Sequence, residues 1–150
     1  MITLLRTNSK NSDFIELVKL LDADLAIRDG AEDHAFYAQF NKIDLIQHVI
    51  VASQNESALG CGAFKFFDAD TAEIKRMYVK PEHRGKGIAF QVLVALEFWA
   101  KEVGFKKCIL ETGYQQPEAI ALYKKSGYQI IPNYGQYAGV ENSVCFAKLI

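Results

Sequence analysis

Between His48 and Val103 three strand-like runs lead, through one glycine-flanked basic turn, into the longest helical stripe of the chain, and any fold must seat that helix on those strands. His48-Val49-Ile50-Val51-Ala52, a polar turn from Ser53 to Ser57 around Asn55, and Ala58 to Phe67 read as a hairpin; Asp68-Ala69-Asp70 turns the chain into Thr71 to Val79. After Pro81 and Gly85-Lys86-Gly87, apolar residues recur at Ala89, Val92, Leu93, Leu96, Trp99, Ala100 and Val103, up to Gly104. That spacing predicts a helix with one buried face.

The flanking segments extend the pattern. Ile2 to Arg6 reads as a strand, and Asn11-Ser12-Asp13 offers caps to a helix with apolar residues at Phe14, Leu17, Val18, Leu21 and Leu25. Gly30 interrupts it, and Glu32 to Phe40 suggests a short second helix suited to a mobile lid. Lys107 to Thr112 is a short strand, Pro117 to Ser126 a helix closed by Gly127, and strands follow at Tyr128 to Ile131 and Ser143 to Leu149. The order is strand, two helices, three strands, helix, strand, helix, two strands, without repeat or linker. It predicts a mixed α/β sheet with helices on both faces, and 150 residues, half of them apolar, suit one domain spanning 1–150.

Charge and cysteine usage narrow the function classes. Seventeen basic and eighteen acidic residues leave a formal charge of -1, with no basic footprint for nucleic acid or an anionic membrane, so a small polar ligand is the expected partner. The first residues lack the apolar core of a signal peptide and no run reaches membrane-spanning length, which reads as cytoplasmic. Cys61, Cys108 and Cys145 are far apart, odd in number and set in apolar runs, as buried reduced thiols are. His34 and His48 have no metal-site spacing, so no metal is expected.

The turn Arg84-Gly85-Lys86-Gly87-Ile88-Ala89 is a candidate pyrophosphate cradle: free amides at a helix start carry partial positive charge, and glycines allow close approach. Arg84 and Lys86 would add charge. On spacing alone the two glycines equally suit a plain strand-to-helix connection. A Walker loop is missing, and Phe90 stands where a dinucleotide fingerprint wants its third glycine, which argues against ATP and NAD.

Arg84-x-x-Gly87-x-Ala89 resembles the Arg/Gln-x-x-Gly-x-Gly/Ala signature of the GNAT acetyltransferase superfamily, placed after a strand and before a long helix as in that family. Gln116-Pro117-Glu118-Ala119-Ile120-Ala121-Leu122-Tyr123-Lys124-Lys125-Ser126-Gly127-Tyr128 resembles the family's second recurrent block. The resemblance implies a GNAT-like mixed, mostly antiparallel sheet and acetyl-CoA as the acyl donor, with transfer to an amine of a small molecule or peptide. It further implies that the backbone of Met77, Tyr78 and Val79 pairs with the pantetheine arm and that the amides of Arg84, Gly85, Lys86, Gly87, Ile88 and Ala89 hold the pyrophosphate. Gln116 stands where many relatives carry an Asn that contacts the cofactor arm, and Tyr123 matches the tyrosine near the cofactor sulfur, the acid for the departing thiolate. A catalytically silent acyl-CoA sensor would carry the same fold and turn.

Strand alternation places Glu73, Lys75, Met77 and Val79 on one face and Ile74, Arg76 and Tyr78 on the other, so Glu73 is a candidate base, with Glu111 or solvent competing. The cysteines have no identifiable histidine partner for a covalent route, which favours direct attack. By position alone, Arg28, His34, Tyr37, Tyr134 and Tyr137 are candidates for an acceptor pocket. Phe90, Val94 and Phe98 form a second apolar line on the long helix, covered either by the protein's own elements or by a second copy, so monomer and homodimer both stay open.

Overall fold

The computed structural model describes residues 1–38 and 46–150. The strands are β1 (Thr3–Thr7), β2 (His48–Gln54), β3 (Ser57–Asp68), β4 (Thr71–Val79), β5 (Lys107–Gly113), β6 (Gln129–Ile131) and β7 (Ser143–Leu149). The helices are α1 (Ser12–Ala38), α2 (Ile88–Val103) and α3 (Pro117–Lys125), with single 3-10 turns at Pro81–His83 and Gly135–Tyr137. The two helices expected on either side of Gly30 form one run with a break at that glycine, whose φ of 77° and ψ of 168° are not helical. The expected end of the second helix at Phe40 lies outside the described residues, as do the side chains of His34 and Tyr37.

The strand order is β1-β2-β3-β4-β5-β7-β6, and every neighbouring pair is antiparallel except β4 and β5. The hairpin from β2 to β3 turns through Asn55 and Glu56, both at positive φ (52° and 65°), the backbone that a two-residue turn needs to match strand twist. One face of the sheet carries α2 and α3 over a core containing Ile74, Val79, Val92, Leu96 and Tyr123. The other carries α1, whose Phe14, Leu17, Val18 and Leu21 pack on Val49, Val51, Cys61 and Tyr78. All three cysteines are buried and free, and burial pushes the Cys61 and Cys108 thiols up to about 12. On the outer side of α2, Phe90 and Phe98 are exposed.

The strand before the basic turn departs from simple alternation. Lys75 pairs with Ala63 and Tyr78 with Cys61, so β4 spends three steps where β3 spends two. The extra residue is taken up at Arg76, whose φ is 59°, and a bulge of this kind re-aims the side chains that follow it. Met77 and Val79 therefore pack on the α2 face with Ile74, while Tyr78 joins the α1 face. The expected set Glu73, Lys75, Met77 and Val79 is split in two by this bulge.

β3 accommodates the distortion through Gly60, which pairs with Val79. A Cβ there would lie 2.7 Å from the Tyr78 carbonyl oxygen and 3.3 Å from Val79 Cα, backbone atoms that cannot swing aside. Gly60→Ala is therefore expected to force β3 from β4 beside the basic turn, at a cost of about 1–3 kcal/mol in urea unfolding, the range of an overpacked core. An unchanged unfolding midpoint would show that the two strands separate freely here.

Candidate active site

β4 and β5 run side by side over only three register pairs, Thr71 with Lys107, Ala72 with Cys108 and Glu73 with Ile109. Beyond Glu73 the strands diverge, and a cleft of about 710 Å³ opens between the end of β4, the basic turn, α3 and the middle of α1. Met77, Tyr78 and Val79 form one wall; Arg84, Gly85, Gly87, Ile88 and Ala89 form the end; Gln116, Ala119 and Tyr123 face them from α3. A smaller recess of about 100 Å³ adjoins it, lined by Lys75, Arg76, Glu111 and Thr112 with Leu21 and Leu25 of α1. Leu21, Met77, Gln116, Ala119 and Tyr123 line both spaces.

The turn supplies unsatisfied donors. Gly85 and Gly87 take left-handed φ values of 77° and 79°, and nothing lies within 4 Å of where a Cβ would stand on either. The first backbone bond of α2 runs from Gln91 N–H to Gly87 O at 3.1 Å, so the amides of residues 85–90 have no backbone acceptor among the described residues. A helix start with free amides and open space above its glycines suits a phosphate group. Lys86 is exposed and lines neither space, whereas Arg84 folds back: its Nε donates to Val79 O at 2.8 Å, and its guanidinium lies 5.5 Å from the Tyr78 ring centre.

Comparison with known proteins meets this geometry. Residues 15–128 match the Acetyltransferase (GNAT) family. The chain belongs to the GNAT acetyltransferase family. Among curated relatives, "IAA acetyltransferase" of Azospirillum brasilense is 32% identical over 139 residues, covering 91% of this chain and 90% of that protein. A crystal structure from Klebsiella pneumoniae, provisionally assigned as an acyl-CoA N-acyltransferase, superposes with a TM-score of 0.83 at 28% identity, covering 99% and 97% of the two chains. The PaiA N-acetyltransferase of Thermoplasma acidophilum, solved in complex with coenzyme A, shares the fold with a TM-score of 0.76 at 18% identity over 100% and 99% of the chains.

Within this GNAT chain, Tyr123 is the side chain best placed between the two spaces. It is buried at 6% exposure, with its ring 5.9 Å from Tyr128 and 5.8 Å from Phe146, and burial first and the charge of Glu111 second push its phenol upward. Gln116 is the N-cap residue of α3 but spends no side-chain bond on capping. The two candidate carboxylates separate. Glu73 lines neither space; it is 3% exposed, accepts from Tyr134 Oη at 2.7 Å, and has Lys65 Nζ at 4.0 Å. Glu111 lines the recess and accepts from Ser143 Oγ at 2.7 Å.

Of the acceptor-pocket candidates, Arg28 lines the large cleft, bonded to Glu118 at 2.5 Å and to Asp24 at 3.3 Å. Tyr134 and Tyr137 line neither space; they stack edge to face at 5.7 Å, with Cys145 and Tyr137 in one buried cluster. Sequence reasoning overlooked Asp24, Lys75 and Arg76. Asp24 and Arg28 are spaced i,i+4 on one helix, a legible signal, but their reach to Arg84 and Glu118 is purely tertiary.

Gly87→Val places a β-branched side chain at φ 79° and into the open space above the amides. It is expected to weaken coenzyme A binding at least about tenfold in calorimetry, against a change of about twofold or less for Lys86→Ala, an exposed point charge. Equal losses for the two variants would argue against a backbone cradle at this turn.

Proposed function

We propose that residues 1–150 form one N-acetyltransferase domain that takes acetyl-CoA as donor and passes its acetyl group, by direct attack, to an amine of a small molecule or peptide. The observation that carries this reading is the placement of Tyr123 at the junction of a cleft ending in free helix-start amides and a recess holding a carboxylate. In this reading the pyrophosphate of the donor meets the amides of residues 85–90, with Gly87 and Ala89 small enough for close approach. The pantetheine arm runs between β4 and α3, along Met77, Tyr78 and Val79 and past Gln116, where the free edge of β4 accepts an extended chain as a strand would.

Two proton movements remain for side chains. The amine must lose a proton, and in this reading Glu111 takes it, supported by its position in the recess that meets Tyr123, while Glu73, bonded to Tyr134 and lining neither space, has the structural part. The departing thiolate must gain one, and Tyr123 supplies it. Burial and the charge of Glu111 raise the Tyr123 phenol, so it carries the proton that the thiolate needs. Tyr123 therefore stays protonated throughout the working range, and its ionisation sets no alkaline limb.

Release of free thiol from acetyl-CoA against a panel of amino acids, polyamines, aminoglycosides and peptide N-termini tests the reading. Thiol release that depends on one amine supports it; coenzyme A binding without release with any amine makes the chain a silent acyl-CoA sensor. With the active amine, Tyr123→Phe is expected to lower the single-turnover rate about 10²-fold with donor affinity and melting unchanged, the low end of general-acid contributions. The wild-type rate is expected not to fall between about pH 7 and pH 9, because a phenol pushed above its ordinary value of about 10 keeps its proton there. A Tyr123→Phe enzyme with normal turnover makes the tyrosine a packing residue.

The two carboxylates are separated by paired variants. Glu111→Gln is expected to reduce turnover at neutral pH about 10²-fold and to recover as pH rises and the amine deprotonates in solvent, whereas Glu73→Gln is expected to shift melting more than rate. The reverse pattern in the pH–rate profiles reassigns the base to Glu73.

A further inference from the structure

Neighbouring strand residues face opposite sides of a sheet, yet Lys75 and Arg76 send their side chains to the same face, because the extra residue of β4 falls at Arg76. Arg76 reaches Asp22 on α1, and Lys75 reaches the Tyr137 hydroxyl at 3.3 Å. Both cations are buried, at 8% and 5% exposure, and both line the recess that also holds Glu111. Buried charge is costly unless an anion meets it.

The fixed anions meet it incompletely. Asp22 takes Arg76 Nη2 but is itself half exposed, and Arg76 Nε is buried with no hydrogen-bond partner among the described residues. The bonded neighbour of Lys75 is a neutral phenol, whose ring centre lies 5.9 Å from the ammonium. Glu73 accepts from Tyr134 and lies 4.0 Å from Lys65, so its charge reaches Lys75 without a hydrogen bond. Burial lowers the affinity of Lys75 for its proton, and the charges of Glu73 and Glu111, which raise it, do not offset that burial.

We propose that this recess is the acceptor subsite and that it selects an α-amino acid, whose carboxylate is held by Lys75 Nζ and Arg76 Nε while its amine faces Glu111 and Tyr123. The assignment rests on the N-acetyltransferase reading above. A recess of about 100 Å³ has room for the carboxylate, Cα and amine, since a water occupies about 30 Å³. Leu21 and Leu25 form the α1 side of its wall, which favours an apolar amino-acid side chain.

The test measures binding to the coenzyme A-loaded protein, and thiol release from acetyl-CoA, with L-leucine, L-methionine, L-phenylalanine and L-glutamate, their amides, and the amines left by removing the carboxyl group. At least one acid is expected to bind about 10- to 100-fold more tightly than its amide, the range for losing a charge-assisted bond. Lys75→Met, which keeps the apolar stem, and Arg76→Met are each expected to abolish that preference in KM with a smaller change in kcat. Lys75→Arg is expected to retain part of it. Unchanged melting and coenzyme A affinity in these variants separate the effect from misfolding, which the half-exposed Asp22 left behind by Arg76→Met makes mild. If amides and simple amines are acetylated as well as the acids, or if no acid outbinds its amide, the subsite assignment falls while the transferase reading stands. If an acid is preferred in binding but no thiol is released, the transferase reading falls and the subsite stands.

Discussion

At Arg76 the backbone of β4 is held at φ 59°, a region that costs a non-glycine residue roughly 1 kcal/mol or more, and the surroundings hold it there from three directions. Asp22 of α1 takes the guanidinium, the Cys61 thiol donates to the Arg76 carbonyl at 3.4 Å, and β3 keeps register on both sides of the extra residue. Bulges bend and twist the strand that carries them. The parallel pairing with β5 ends at Glu73, three residues before the bulge, and both the cleft and the recess lie beyond that point. An open edge inside a sheet is otherwise a liability, and here it becomes the wall of the site.

The same extra residue divides the labour of the two faces. Met77 and Val79 turn toward α2 and line the cleft that ends in the free amides; Lys75 and Arg76 turn toward α1 and line the recess with Glu111. The two spaces adjoin where the sheet is interrupted, and Leu21 and Met77, from opposite faces, line both. Tyr123, in the core under α2 and α3, borders both spaces from α3. In a continuous sheet its hydroxyl would be one more core group in need of a partner.

How far the sequence reveals this depends on which regularities hold. The elements follow from period and punctuation: β4 and β7 have the bounds that alternation and turn residues predict, and α2 starts one residue earlier than its apolar stripe. The basic turn is legible because glycines at positive φ and a helix start are local features. The bulge is not legible, because period-two reasoning assumes that no residue is spent without advancing the ladder. That assumption placed Glu73 with Met77 and Val79, and it separated Lys75 from Arg76. Glu73 reads as the first candidate and Glu111 as its competitor, because only the divergence of β4 and β5 decides which carboxylate borders the recess, and that is a tertiary fact. Tyr134 and Tyr137 looked like cleft walls because tyrosine-rich loops have two uses; here they cover Glu73 and Cys145.

Arg84 illustrates how such a site balances its charges. Its side chain satisfies the Val79 carbonyl and lies 3.7 Å from Asp24, which it shares with Arg28, and Arg28 in turn reaches Glu118 on α3 and holds that carboxyl below its ordinary range. These groups are a quarter to a half exposed, so each pair is worth at most about 1 kcal/mol. On the acetyl-CoA reading, the pyrophosphate arriving beside Arg84 offers a stronger bidentate partner than a backbone carbonyl and a shared carboxylate. Moving the guanidinium to the phosphate would free Val79 O at the edge where the pantetheine arm docks, so that filling the phosphate end and opening the strand edge become one event. On that reading the phosphate would have to outweigh a charge-assisted bond to Val79 O, worth about 1.5–3 kcal/mol, and a part-exposed ion pair worth less. A stronger pair at Arg84 would hold the strand edge closed against the donor.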